Sequence, residues 1–357
     1  MTVEVSVILP CRDEELTLEK CIRQIKAVFK NENISGEIIV SDSSGDRSPQ
    51  IARENNVILV KHDEKGYGNA ILKGIEKSSG KLIVIGDADA TYDFSEMPLL
   101  LRKLKNCDLV VGTRMRGRID KGAMPLHHRW FGNPILSFIL NTFFHTNLSD
   151  THSGFRAIRK NKLKKLDLKS SGMEFASEMI IKAAKSNLKI SEVPISYHVR
   201  HGSSKLRSIS DGWRHLRFML MLTPTYLFFV PGLLLMLTGL TLMGLTQLHF
   251  FPRFELVGMS LSIIGFQVVT LGLFSKIYSI HTGFEKDDWF IDFLAKKITL
   301  ERGILIAGLM ILTGIIGFLP PFRSIVSEIA LITLIILGIQ FFFSAFFTSI
   351  MLVEKIK

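Results

Sequence analysis

Asp87 and Asp89 close the run Leu82-Ile83-Val84-Ile85-Gly86-Asp87-Ala88-Asp89. The apolar tetrad reads as a short buried strand. A strand that ends in Asp-Ala-Asp delivers two carboxylates to its carboxyl end, which in open α/β sheets is the edge where ligands bind. Two adjacent carboxylates with no cation between them repel and raise each other's pKa. A hard divalent metal removes that penalty, and oxygen ligands suit Mg²⁺ or Mn²⁺. Mg²⁺ usually takes one or two carboxylates and lets substrate phosphates complete its shell. The pair therefore reads as a metal–diphosphate site. The rival reading is a solvated turn after a strand.

The elements that must position this pair alternate along the chain. Val3 to Leu9 is a β-branched strand ending at Pro10, and Asp13-Glu14-Glu15 reads as the acidic first turn of a helix. Glu37 to Val40 is a second strand, followed by Ser41-Asp42-Ser43-Ser44-Gly45-Asp46. A helix (Pro49 to Glu54), a strand (Val57 to Val60) and a further helix to Lys77 follow, the last after Gly66-Tyr67-Gly68, which reads as a turn. Beyond the Asp87 strand come Leu109-Val110-Val111-Gly112, a helix around Glu174 to Lys185 and a strand from Ile190 to Tyr197. Strands alternating with helices at this spacing predict a largely parallel sheet with helices on both faces. Asp93 is expected to fix the turn after the acidic pair. Glu174 and Glu178 are expected to be structural, and His127-His128 is not read as a metal pair.

The composition is uneven. Among 357 residues with a formal net charge of +11, the first 220 or so mix charge with short apolar runs, and long apolar stretches follow. Four spans are predicted by hydropathy, at Thr223–Leu248, Glu255–Ile280, Gly303–Leu319 and Ser324–Leu352. Each is near or above the roughly 17 to 25 residues a bilayer requires. Trp130 to Phe144 is too short to span and reads as a buried or interfacial helix, and Ser210 to Leu222 is amphipathic. A chain that enters the membrane makes anionic lipid, not nucleic acid, the simpler partner for its positive charge. The connection carrying Lys286, Lys296, Lys297 and Arg302 outweighs those carrying Arg253 or Arg323 alone. The positive-inside rule then puts that connection, the N-terminal domain and the tail on the cytoplasmic side. The N-terminus shows no signal-peptide pattern. Cys11, Cys21 and Cys107 are odd in number and unpatterned, so neither a disulfide framework nor a zinc site is expected.

Several motifs, in order, resemble glycosyltransferase family 2, and within it the polyprenyl-phosphate glycosyltransferases of the dolichyl-phosphate mannose or glucose synthase type. Pro10-Cys11-Arg12-Asp13-Glu14 stands where that family has Pro-x-Tyr-Asn-Glu; Pro10 and Glu14 match, and Arg12 and Asp13 depart. Ser41-Asp42-Ser43-Ser44-Gly45-Asp46 resembles Asp-Asp-Gly-Ser-x-Asp, and Asp87-Ala88-Asp89 matches the metal motif. Gly112-Thr113-Arg114 resembles Gly-Ser-Arg, Asp150 to Arg156 resembles Asp-x-x-Ser-Gly-Phe-Arg, and Arg200 to Leu206 resembles Arg-x-Gly-x-Ser-Lys-Leu. The resemblance covers about Val3 to Leu206. It implies a GT-A fold, a mixed and mainly parallel sheet; the membrane part matches only in kind, and hydropathy adds interfacial helices and a four-helix transmembrane region. The corresponding boundaries are 1–207 (catalytic domain), 208–222 (amphipathic juxtamembrane segment) and 223–357 (transmembrane domain). It implies a nucleotide-sugar pocket of Pro10, Arg12, Glu14, Val40, Asp42, Asp87, Ala88 and Asp89. It implies metal ligation by Asp87 and Asp89, with Thr91 at the position where the mannose synthases carry a Gln.

The implied reaction moves one sugar from a UDP- or GDP-sugar to a membrane polyprenyl phosphate, dolichyl or undecaprenyl, by direct inverting attack. The acceptor is a phosphate monoester whose second pKa is roughly 6, so it is anionic at neutral pH and needs no general base. The site must instead supply positioning and charge neutralisation. Guanidinium forks match phosphate geometry. The candidates for the acceptor phosphate are Arg114, Arg129, Arg156 and Arg200, with Ser153 and with Lys205 as a point charge; Asp89, Arg114 and Arg200 are the expected catalytic set. One alternative is a processive polysaccharide synthase, for which only His128-Arg129-Trp130 speaks, without the Gln of the corresponding Gln-x-x-Arg-Trp motif. The other is a non-catalytic membrane scaffold, which has no need to keep paired carboxylates.

Overall fold

A computed structural model describes residues 3–200, 202, 208–223, 225–248, 250, 252–281, 299–320 and 326–352. The chain divides into two compact units, Met1–Met219 and Leu220–Lys357.

The first unit is built on a seven-stranded sheet. Its strands are β1 (Val5–Cys11), β2 (Gly36–Asp42), β3 (Ile58–Lys61), β4 (Leu82–Ile85), β5 (Leu109–Thr113), β6 (Arg156–Arg159) and β7 (Ile190–Pro194), in the order β3-β2-β1-β4-β6-β5-β7. All are parallel except β6, which is antiparallel to both β4 and β5. The helices of this unit are α1 (Leu18–Asn31), α2 (Ser48–Glu54), α3 (Tyr67–Lys77), α4 (Met97–Leu104), α5 (Asn133–Phe144), α6 (Lys160–Leu163), α7 (Phe175–Lys185) and α8 (Ser208–Met221).

Alternation along β1 shows how both faces are covered. Val5, Val7 and Leu9 join Leu18, Ile22 and Ile25 of α1 and Met97, Leu100 and Leu104 of α4 in one core. Ile8 points the other way, so close to α3 that a Cβ on Gly74 would lie 2.4 Å from its Cγ2. The core continues to the Asp87 edge through aromatic rings. Phe155 is fully buried, lies 5.6 Å from the Tyr92 ring and meets Phe94 edge-on at 5.5 Å.

Two local features differ from expectation. The strand β6 is absent from the sequence reading because Arg-Ala-Ile-Arg has no apolar run. Its terminal arginines reach backbone carbonyls instead: Arg159 donates to Cys107 and Leu104, and Arg156 to Thr151, Ser153 and Ala176. The acidic turn Asp13-Glu14-Glu15 precedes α1 rather than opening it. Its carboxylates serve the neighbouring loop, with Asp13 Oδ1 accepting from Gly45 N at 2.9 Å and Glu15 Oε2 from Arg47 N at 3.1 Å. Asp93 does cap its turn, accepting from Ser95 N at 2.9 Å. Glu178 is structural: it is buried, pairs with Lys182 at 2.8 Å and accepts from the backbone of Lys169 and Ser170.

The apolar stretch after Arg129 forms α5 behind a wide helical turn at His128–Gly132. Trp130, Phe131, Ile135 and Phe138 are exposed, which suits an interfacial element with one side in lipid. Among the described residues, the second unit holds four helices long and apolar enough to cross a membrane: Tyr226–Gln247, Glu255–Ile280, Leu300–Gly317 and Glu328–Leu352. The first two approach at small residues. A Cβ on Gly239 would lie 2.4 Å from Ser262 N, and one on Gly265 would lie 2.3 Å from Met236 N. Without a hydrophobic drive between helices in lipid, such backbone proximity supplies the packing. Lys286, Lys296, Lys297, Arg323 and the C-terminal tail lie outside the described residues.

Phe155→Ala is expected to destabilise the protein by about 3–5 kcal/mol, as for a fully buried aromatic truncated to a cavity. Thermal or denaturant unfolding of the detergent-solubilised chain measures it, and a loss below about 1 kcal/mol contradicts the central place of this ring.

Candidate active site

The parallel register of β1, β2 and β4 gathers their carboxyl ends. Cys11 lies opposite Asp42, and Ile8 opposite Ile85. Arg12 to Glu14, Asp42 to Ser44 and Asp87 to Asp89 therefore share one edge. The end of β5, Thr113-Arg114, reaches the same edge, and β6 enters from it, with Arg156 opposite both Ile85 and Val111.

Asp89 is buried and already oriented. Its Oδ1 accepts from Thr91 N at 3.0 Å and from the Thr91 hydroxyl at 2.6 Å. Its Oδ2 pairs with Arg200 at 3.0 Å, and the same guanidinium reaches Glu14 Oε1 at 2.5 Å. Arg200 thus bridges two acids that come from different strand ends. Asp87 is different: its Oδ1 is buried without a hydrogen-bond partner. Burial, then the Asp89 charge, pushes the Asp87 carboxyl up to about 7. An orphaned carboxylate oxygen beside a second carboxylate fits a hard divalent cation. Among the described residues no three His, Cys, Asp or Glu side chains form a metal cluster. Ligand phosphate oxygens and water would therefore have to complete the shell. Thr91 stands against Asp89, where its hydroxyl orients that carboxylate.

The arginines divide into two kinds. Arg156 is buried, and its Nε, NH1 and NH2 all donate to backbone carbonyls at 2.7–2.8 Å. It is a strut of the 150–156 loop. Arg114 makes a two-pronged pair with Asp150, at 2.7 and 2.8 Å, and lies over the Tyr197 ring. Burial opposes the charge on both partners, but their mutual attraction prevails: Asp150 is held below the usual carboxylate range and Arg114 above its own. Arg114 too therefore holds the loop together before it can serve a phosphate. Arg129 is exposed and stacks on Trp130, with the guanidinium 5.5 Å from the ring centre. Ser153 is buried, its hydroxyl 3.4 Å from Phe155 N. Lys205 lies outside the described residues.

The expected nucleotide contacts are brought to the edge with different degrees of freedom. Asp42 is fully buried and accepts from Ser44 N at 3.3 Å, from the Ser44 hydroxyl at 2.5 Å and from Lys61 at 2.8 Å. That arrangement is a local turn carried by the aspartate. Val40 lies in the core, and Ala88 is buried with its carbonyl accepting from Thr17 Oγ1 at 2.8 Å. Pro10 is half-buried at the end of β1, and Arg12 is exposed.

Four residues of this site escaped the sequence reading, Tyr67, Tyr92, His152 and His215. Tyr67 directs a buried, unpartnered hydroxyl towards Asp87. Tyr92 accepts from Gly154 N at 2.7 Å and so ties the acidic turn to the loop before β6. His152 and His215 flank Ser177, at 3.2 and 2.8 Å from its hydroxyl. Both imidazoles are pushed down by burial, His215 to about 4, so the trio is neutral and links α8 to the same loop. The only sequence signal for Tyr67 was its place between two glycines.

Residues 6–167 match the model of the family described as glycosyl transferase family 2, and residues 273–352 that of the glycosyltransferase family 2 C-terminal transmembrane region. A relative from Haloferax volcanii, the low-salt glycan biosynthesis hexosyltransferase Agl6, is 38% identical over 96% of this chain and 87% of its own length. The chain belongs to glycosyltransferase family 2. Further members with lower similarity are a dolichyl-phosphate hexose transferase of the same organism (28% identical, over 58% of this chain and 89% of that protein) and a dolichol-phosphate mannosyltransferase of Pyrococcus furiosus (29%, over 60% and 63%). This family 2 glycosyltransferase thus carries its acidic pair on a GT-A type sheet, ahead of a membrane region of its own family's kind.

The raised Asp87 pKa has a sign that can be checked. Between the unfolded value near 3.9 and the folded value of about 7, the folded state binds more protons, so stability falls as pH rises through that window. In metal-free buffer at pH 8, Asp87→Asn is expected to be more stable than wild type by roughly 1–3 kcal/mol. The gain shrinks at pH 5. Thermal unfolding at the two pH values measures it, and a gain that is the same at both contradicts the assignment.

Proposed function

We propose that this glycosyltransferase transfers a single sugar from a nucleotide diphosphate sugar to the phosphate of a membrane polyprenol. The observation that carries the reading is the buried, unpartnered oxygen of Asp87 beside Asp89, at the carboxyl edge of the sheet in a chain with four membrane-length helices. The relatives named for dolichyl-phosphate hexose and mannosyl transfer support the acceptor class.

Asp87 and Asp89 would hold Mg²⁺ or Mn²⁺, which when bound neutralises the departing diphosphate. Thr91 keeps Asp89 in one orientation. Arg200 balances Asp89 and Glu14, and once a metal neutralises Asp89 its fork would be free to meet an incoming phosphate. The acceptor oxygen is already anionic, so no side chain has to remove a proton. Arg114 and Arg156 fix the loop that forms the floor of the site, and Arg129 remains exposed for an acceptor phosphate. UDP is favoured over GDP because the motif variants resemble the glucose-type relatives. The catalytic unit faces the cytoplasm because the positive connection does, and exposed Trp130 and Phe131 beside Arg129 suit a surface in contact with lipid head groups.

The test is a transfer assay with purified full-length protein, Mn²⁺ or Mg²⁺, a short isoprenyl phosphate and a panel of UDP- and GDP-sugars, with the lipid product detected by mass. One lipid-linked monosaccharide from one donor is expected. Polymer formed without added lipid phosphate contradicts the acceptor, and full activity in excess chelator contradicts the metal. Asp87→Asn is expected to lower transfer at least about 100-fold while the protein stays folded. Arg200→Ala is expected to raise KM for the isoprenyl phosphate about tenfold and more than for the sugar nucleotide. Equal rises would place Arg200 elsewhere than at the acceptor phosphate.

A further inference from the structure

The loop Gly66-Tyr67-Gly68 is built to hold one side chain. Gly66 has φ +127°, and a Cβ there would lie 2.2 Å from the Ser171 carbonyl oxygen. A Cβ on Gly68 would lie 2.0 Å from the Ser170 oxygen. Only glycines let the start of α3 press against the 170–171 backbone, and Asn69 N donates to Ser171 O at 3.1 Å across that contact. The 170 side is itself pinned, because the buried Glu178 carboxylate accepts from Lys169 N and Ser170 N. Clamped in this way, Tyr67 reaches across to Gly154. A Cβ on Gly154 would lie 2.9 Å from the Tyr67 hydroxyl, 2.9 Å from Asp87 Oδ2 and 3.2 Å from Asp87 Oδ1. The phenol and the carboxylate therefore share the space above a glycine that keeps it open.

Two atoms in that space lack partners, Tyr67 Oη and Asp87 Oδ1. A buried polar atom left unpaired costs about 1–3 kcal/mol; a small rotation of the phenol toward Asp87 would satisfy the hydroxyl, and a ligand the remaining carboxylate oxygen. We propose that Tyr67 is a positioning residue of the metal–diphosphate site, donating its phenolic hydrogen to the Asp87 carboxylate and so turning the free oxygen of Asp87 toward the cation. A tyrosine phenol has an ordinary pKa of about 10, so at neutral pH it carries its hydrogen and can donate. Carboxylate ligands are commonly oriented by such outer hydrogen bonds, whose loss lowers metal affinity about 10- to 100-fold. The inference rests on the metal reading of Asp87 and Asp89 proposed above.

The test uses full-length Tyr67→Phe, which removes one oxygen and keeps the ring. Mn²⁺ is titrated in the presence of UDP and, separately, GDP, with bound Mn²⁺ read by electron paramagnetic resonance. The Mn²⁺ concentration for half-maximal binding is expected to rise about tenfold, with metal-free thermal unfolding unchanged or slightly raised. In an Asp87→Asn background the same substitution is expected to have no further effect on Mn²⁺ binding. Saturating Mn²⁺ is expected to restore most of the turnover rate. Unchanged Mn²⁺ affinity in Tyr67→Phe, with wild type binding Mn²⁺ normally, overturns the role of Tyr67 alone. Failure of wild type to bind Mn²⁺ with either nucleotide overturns the metal site and the inference together. If Tyr67→Phe lowers metal-free stability by several degrees, Tyr67→Trp serves as the second variant. It fills the ring space but carries its N–H elsewhere, so normal Mn²⁺ affinity there also overturns the inference.

Discussion

Two carboxylates side by side at a largely buried strand end form an arrangement that no isolated protein segment favours. Asp87 and Asp89 face this repulsion, and much of the first unit is arranged around it. Asp89 is neutralised by Arg200 and steadied by Thr91, whereas Asp87 is left with an oxygen that nothing satisfies. That asymmetry has a chemical meaning. One acid is held in position and the other keeps an oxygen open, so a bound cation would relieve the electrostatic cost of the pair. A site that binds a charged ligand tightly tends to be one that is unfavourable without it.

The supporting layer consists of charges spent on structure. Arg114 with Asp150, and Arg156 with three backbone carbonyls, are buried groups whose hydrogen bonds fix the loop leading into β6. Removing one partner of such a pair leaves an uncompensated charge, which is why these contacts enforce one loop conformation. Tyr92, through Gly154, joins that loop to the turn after the acidic pair. His152 and Ser177 carry the connection on to His215 of α8. The loop therefore sits between the acidic centre and the amphipathic helix, linked to the first through Tyr92 and to the second through Ser177.

The membrane region follows different physics. Its four helices expose apolar side chains outward, such as Leu234, Leu271 and Phe343, and meet one another at glycines where backbones approach closely. Lipid replaces water as the solvent there, so packing and not the hydrophobic effect holds the helices together. In the first unit, Trp130, Phe131 and Phe138 remain exposed for the same reason that they would be buried in a wholly soluble protein. An apolar patch beside basic residues is stable at a lipid surface.

The sequence by itself determined the alternation of strands and helices, the four spans and the acidic pair, because each is written in local periodicity or in adjacent residues. Apolar period and run length are properties of a few neighbouring positions, and Asp87-Ala88-Asp89 needs no partner to be recognised. Tertiary structure alone decided the rest. The antiparallel strand β6 carries arginines at its ends and acquires its pairing only between β4 and β5, so no run of side chains announces it. Arg156 and Arg114 looked like phosphate ligands in sequence because guanidinium groups suit phosphate. Folding instead turned Arg156 onto carbonyls and Arg114 onto Asp150, neither of which the chain order reveals. Tyr67 was passed over for the opposite reason. Its neighbours, two glycines, indicate a turn, while the group it faces is Asp87, twenty positions on, brought there by the clamp of Gly66 and Gly68 on residues 170 and 171. Which polar atom meets which is a matter of three-dimensional proximity, and a one-dimensional pattern carries that information only where partners are neighbours in the chain.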